Sequence, residues 1–258
     1  MHTLSILRHS ILQIIRQPVD VLRIFLLPMT ASFLIVKLTG LAFTLSPFYL
    51  NIAVARGLVP WGRLGMVTLA TFLIGLWAAA AWHRFVLLEE RPRGFWTVVP
   101  WPAFAAFLRR GLVVGLLILL IIFAASFVYG VVLGFASAAS KRPPGIFAHG
   151  IGLGLSLPIL VMSLRLAVTL PGAALQAPHS IGGIWAHMSD LFFTMLGLMV
   201  ALVTLRYLVG EGLSALGLTP VTTLGFLVVA ALESLQIILS LSIVTTLYGR
   251  YIEGRPLV

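Results

Sequence analysis

Six times along this chain the polar residues give way to an apolar run of about 20 residues, enough for an α-helix rising about 1.5 Å per residue to cross a hydrocarbon core. The runs extend approximately from Arg23 to Leu45, Leu64 to Leu88, Gly111 to Ser137, Phe147 to Leu170, Leu191 to Val209 and Val221 to Leu247. Lipid offers the backbone no hydrogen-bond partner, so each run is restricted to a helix that satisfies its own N–H and C=O groups. No stretch between the runs exceeds about 25 residues, which leaves no room for a folded domain outside the membrane. The expected fold is all-α: a polytopic membrane helix bundle of about six transmembrane helices in three antiparallel hairpins. The chain is read as a single integral membrane domain over 1–258, with an interfacial amphipathic helix over 1–20 and a six-span bundle over 21–258. Composition agrees, with 60% hydrophobic and 9% charged residues, against roughly 25% charged in soluble domains.

Ahead of the first run, "MHTLSILRHSILQIIRQPVD" places Leu4, Leu7, Ile11, Ile14 and Ile15 at helical spacing with Arg8 and Arg16 between them. This segment is expected to lie on the membrane surface. It has no small-x-small cleavage site behind an apolar core of the right length, so it is read as retained rather than as a signal peptide. Orientation follows from the basic residues. With the N-terminus in the cytoplasm, Arg8, Arg16, Arg23, Arg84, Arg91, Arg93, Arg109, Arg110, Arg165, Arg250 and Arg255 face inward, 11 of the 17 Lys and Arg. The positive-inside rule then places both termini in the cytoplasm.

Charge is scarce in this chain and gathers in "AWHRFVLLEERPRGFW", Ala81 to Trp96, behind the second run. The last run closes on an echo, "YGRYIEGRP". Such segments are expected where a span leaves the bilayer, because arginines reach the headgroups and indole rings settle at the boundary. Trp82, Arg84, Trp96, Trp101, Arg165, Trp185 and Arg250 are the expected interfacial anchors. The segments "HRFVLLEERP", "LRLAVTLPG" and "GRYIEGRP" follow the second, fourth and sixth runs, a pattern that three repeated hairpins or the positive-inside rule alone produces.

Within Ser163 to Phe193, "LRLAVTLPGAAL" followed by "SIGGIWAHMSDLFF" resembles a segment of bacterial six-helix inner-membrane proteins related to the membrane domain of some glycerophosphodiester phosphodiesterases. The resemblance implies a polytopic domain without chemistry of its own, since the hydrolase activity of such proteins belongs to a separate soluble domain. It carries over Arg165, Pro171, Ser180 and Trp185 as architectural residues. Where the family has Ala-Trp, this chain has Ile184-Trp185.

Helices in lipid associate through small residues that let backbones approach. "GVVLG", with Gly130 and Gly134, and "GIGLG", with Gly150 and Gly154, flank the short turn between the third and fourth runs and are expected to pack together. Pro28 and Pro158 each remove a backbone donor inside a run and are expected to kink it. Glu233, in "LVVAALESLQIILSL", is the acid placed deepest in a run, where an unpaired charge costs several kcal/mol. Gln236 follows it on the same helical face, and Lys37 sits at similar depth if the first span reaches Leu45. These three define an intramembrane polar site. A Lys37–Glu233 pair is the expected arrangement, with a protonated Glu233 bonded to a hydroxyl and an ion or substrate path as the alternatives.

Other chemistry finds little support. The chain has no cysteine for disulfides, thiolate metal sites or nucleophilic catalysis, and its six histidines lack metal-ligand spacing such as HExxH. It contains no GxxxxGK[ST] phosphate loop. His149 beside Lys141 and Arg142 reads as a solvated basic turn. A net charge of +10 on residues flanking apolar runs points to lipid headgroups rather than to nucleic acid. The expected partners are membrane lipids and other membrane proteins, with no cofactor. The function read from the sequence is a noncatalytic scaffold or accessory subunit of a membrane assembly. The alternative is a small transporter or lipid-handling protein built around Glu233.

Overall fold

The computed structural model describes residues 2–42, 53–54, 56–92, 94, 97–140, 146–177, 179–218 and 222–256. Its helices are α1 (His2–Arg16), α2 (Pro18–Leu38), α3 (Trp61–Leu88), α4 (Trp101–Ser140), α5 (Ile146–Ala167), the short α6 (Leu170–Ala174) and α7 (Ile181–His187), then α8 (Phe192–Ala215) and α9 (Thr223–Tyr251). A 3-10 turn, Ser189–Leu191, leads into α8. Among the described residues six segments are long and apolar enough to cross a membrane: α2, α3, Trp101–Val132 of α4, Ser156–Ala174, Ser189–Ala215 and α9. The chain is a multi-pass membrane protein with an all-helical bundle.

Local chemistry accounts for several helix ends. Pro18 opens α2, where its missing N–H would have no partner, and Asp20 sits in the same turn, favoured by the positive end of the helix dipole. Ser180 caps α7 by accepting from the Gly183 N–H at 3.0 Å, and Thr222 caps α9 by accepting from Gly225 at 3.1 Å. α2 stops at Leu38, followed by Gly40 at φ +73°, a conformation that glycine adopts without strain. The first span is therefore shorter than the expected Arg23 to Leu45. By contrast α4 starts ten residues before Gly111, because Arg109 and Arg110 mark a membrane boundary without breaking a helix.

Consecutive spans pack as the hairpins α2–α3, α4–α5 and α8–α9. Side-chain burial is concentrated at the end where α3, α5 and α9 finish. There Trp82, fully buried, lies between Phe25 and Phe85 with ring centroids 5.6 and 5.7 Å away. A second cluster joins Ile6, Met195, Leu198, Ile243, Leu247 and Tyr248. Toward the opposite end the bundle opens. Leu116, Leu119, Leu120 and Phe123 of α4 are exposed, and residues 203–208 of α8 are exposed on every side.

Three sequence expectations need correction here. The N-terminal helix does not simply lie on the surface: Ile6 and Ser10 are fully buried against α8 and α9. Close approach is possible because Gly197 has no side chain, a Cβ there falling 2.9 Å from Thr3 Oγ1. Gly130 and Gly154 do not form the α4–α5 contact, since a Cβ at either would meet nothing within 4 Å. The surroundings of Gly134 and Gly150 lie outside the described residues. Trp82 is not an interfacial anchor, because Ala78 to Ala81 bring α3 close to its neighbours and draw the indole into the core. Pro28 and Pro158 both lie inside their helices, α2 and α5.

Candidate functional site

The two charged segments that echo each other in sequence meet in space. Arg255 donates from Nη2 to the Leu87 carbonyl at 2.7 Å and from Nε to Glu253 at 2.6 Å, which ties the chain behind α9 to the end of α3. Arg250 reaches the Arg255 carbonyl at 3.4 Å. Between α1 and these two ends lies a cavity of about 520 Å³, whose lining includes Arg16, Glu89, Arg91, Arg250 and Arg255. It opens at the level where the apolar spans stop. Glu89, the residue ending α3, holds a left-handed backbone at φ 57°, which turns the chain back toward this cavity.

Beneath the cavity, uncharged polar groups lock α1 and α3 onto α9. Ser242 Oγ lies 2.9 Å from the Ser10 carbonyl and 2.7 Å from Gln13 Oε1, sharing its one proton between them. Ser10 Oγ donates to Thr246 Oγ1 at 3.1 Å. On α3, the fully buried His83 contacts Thr245 Oγ1 through Nδ1 at 2.8 Å. The Thr245 hydroxyl proton goes to the Leu241 carbonyl at 2.7 Å, so the His83 ring is the donor in that contact. His83 Nε2 and Trp82 Nε1 are buried without a hydrogen-bond partner among the described residues.

The arginines expected as interfacial anchors are largely structural clamps. Arg84 forms a two-pronged pair with Glu90, Nε to Oε2 at 2.8 Å, and donates from Nη1 to the Ala174 carbonyl at 2.8 Å. It thereby fixes the end of α6 to α3. Arg165 lies over the Trp185 ring, 4.1 Å from its centroid, and donates to the Trp185 carbonyl. Pro171 starts α6, and Ser180 caps α7. Trp101, first residue of α4 and 69% exposed, keeps an anchor's position. Trp96 lies outside the described residues, as do Lys141 and Arg142.

Glu233 does not pair with Lys37. It receives two bonds from Arg206 of α8, Nη1 to Oε2 at 2.9 Å and Nη2 to Oε1 at 2.8 Å. Depth explains the choice. Arg206 lies nine residues before the end of α8 and Glu233 ten residues after the start of α9, so both stand about 14–15 Å from the same end of their hairpin. Lys37 sits in the last turn of α2, with Nζ 5.0 Å from the Phe226 ring centroid, as a cation over an aromatic face. Gln236 offers its backbone carbonyl to Ser240 Oγ, and its side chain makes no hydrogen bond to Glu233 among the described residues. The Arg206 and Glu233 side chains are 48% and 23% exposed, so the pair lies on the outer side of α8 and α9.

Sequence reading missed Ser10, Gln13, His83, Ser242, Thr245 and Thr246. A signal was present: Ser242, Thr245, Thr246 and Gly249 share one helical face, and Ser10 and Gln13 form a matching uncharged stripe on α1. Among the described residues no group of three His, Asp or Glu is placed to hold a metal ion. No family model, curated protein or solved structure matches the chain.

Proposed function

We propose that this protein is a noncatalytic scaffold or accessory subunit of a membrane assembly, seated on a membrane partner through the outer face of α8 and α9. One observation carries the reading. The Arg206–Glu233 pair stands part-exposed about 14–15 Å inside its hairpin, on a stretch of α8 whose residues 203–208 are all exposed. Hydrocarbon is a poor medium for such a pair, and a partner helix that covers it, or adds a hydrogen bond, lowers that cost. The location proposed is a bacterial inner membrane with both termini in the cytoplasm, supported by the Lys and Arg distribution. Kinship with the six-helix family related to phosphodiesterase membrane domains belongs to the same proposal, supported by the architectural roles of Arg165, Pro171, Ser180 and Trp185.

The test is native purification followed by mass spectrometry, with wild type beside an Arg206→Met, Glu233→Leu double variant. A stoichiometric protein that accompanies the wild type and is lost from the folded double variant supports the reading. Retention of that protein by both, or its absence from both, contradicts it. The second reading, a lipid-handling protein, draws support from the arginine-lined cavity rather than from Glu233.

A further inference from the structure

We propose that the cavity between α1, α3 and α9 binds a phosphate group, supplied by a membrane lipid or by a soluble phosphate. Four arginines reach its wall from separate pieces of chain: Arg16 at the end of α1, Arg91 behind α3, Arg250 in the last turn of α9, and Arg255 beyond it. Among the described residues Glu89 is the only carboxylate on the lining, and Glu253 holds Arg255, so positive charge remains in excess there. Arg16 and Arg91 make no hydrogen bond or ion pair among the described residues, which leaves both guanidinium forks available. Arg255 contributes rigidity, since its contacts with Leu87 and Glu253 fix the orientation of its fork before any ligand arrives.

Deeper on the lining, Thr246 accepts from Ser10 and gives its own hydroxyl proton to no acceptor among the described residues. The hydroxyl is a neutral donor that complements the charged ones. At about 520 Å³ the cavity falls within the roughly 300–1,000 Å³ range of small-molecule sites. Its position matters as much as its size. Leu87 and Gly249 on its wall lie in the last turns of α3 and α9, at the level where apolar spans give way to headgroups. Phosphate oxygens suit paired N–H donors, and arginine supplies these in a planar fork.

The site is distinct from the α8–α9 face, so loss of a partner there leaves this proposal intact. The experiment uses full-length protein in detergent, with folding followed by circular dichroism. Retained phosphatidylglycerol and phosphatidylcholine are counted by native mass spectrometry, and inorganic phosphate is titrated by thermal shift. Arg16→Gln with Arg91→Gln removes two cations that hold no intrachain contact, and the same pair of changes at Arg8 and Arg23 serves as the control. The expected result is a phosphatidylglycerol or phosphate complex weakened about tenfold in the Arg16, Arg91 variant and little changed in the control. Glu89→Gln should strengthen it. Preferential retention of phosphatidylglycerol without a phosphate-induced shift assigns the site to a lipid headgroup, and the converse assigns it to soluble phosphate. Absence of both, or equal weakening in the control, would overturn the proposal and leave only a diffuse attraction to anionic surfaces.

Discussion

Replacing Arg206 by Met leaves Glu233 inside α9 without the ion partner described for it, and replacing Glu233 by Gln leaves the Arg206 guanidinium unpaired in turn. Two bonds of 2.9 and 2.8 Å join the groups, and both ends sit about 14–15 Å inside the hairpin, where an unpaired charge costs about 2.5–3.5 kcal/mol on insertion scales. Arg206 is nearly half exposed and can reach toward headgroups, so its orphaned state relaxes more readily than that of Glu233. The expected losses are therefore about 3 kcal/mol for Arg206→Met and about 2 kcal/mol for Glu233→Gln. Arg206→Met combined with Glu233→Gln should recover much of this, with a coupling of about 2 kcal/mol. Lys37→Met serves as a third arm, since Lys37 faces Phe226 and should show no coupling to Glu233. Unfolding by sodium dodecyl sulfate in mixed micelles, followed by tryptophan fluorescence, measures each variant. Strictly additive losses at Arg206 and Glu233, or coupling of Lys37 with Glu233, would refute the pairing.

Gly172→Ala places a Cβ 2.9 Å from Tyr248 Oη and 3.0 Å from the Ala177 carbonyl, and should cost about 1–3 kcal/mol in the same unfolding assay. Gly154→Ala meets open space inside a helix and should be neutral or stabilising by up to about 1 kcal/mol. Ser242→Ala removes the hydroxyl shared by Ser10 and Gln13, so stability should fall by about 1–2 kcal/mol and proteolysis of α1 should accelerate while the spans remain protected. A fluorescent-protein fusion after Val258 should be bright and an alkaline phosphatase fusion there inactive, the opposite pattern indicating inverted topology.

The helical class and its three hairpins were legible because a bilayer imposes one length and one backbone solution on every span. Composition and run length carry that information without any knowledge of neighbours. Site pairing was less accessible, since it depends on where each helix ends. Lys37 is deep only if α2 extends to Leu45; the turn at Gly40 places it at the boundary, and Arg206 stands beside Glu233 instead. Trp82 and Arg84 illustrate a different limit. An indole and a guanidinium near a span's end suit either the headgroups or a helix–helix contact, and the small residues Ala78 to Ala81 decide for the contact. The polar face of α1 misled in the same way. Its charges are exposed, yet Ser10 is buried and Gln13 half-buried against hydroxyls of α9.

Whether the α8–α9 face seats a partner can be measured by placing a photoactivated cross-linking residue at position 207, beside Arg206, in native membranes. Tyr207 is 64% exposed, and Leu22, exposed on α2, supplies the control position. The scaffold reading expects one discrete protein adduct at 207, dependent on the intact Arg206–Glu233 pair and absent at 22. Lipid adducts alone at position 207, matching those at 22, would contradict it.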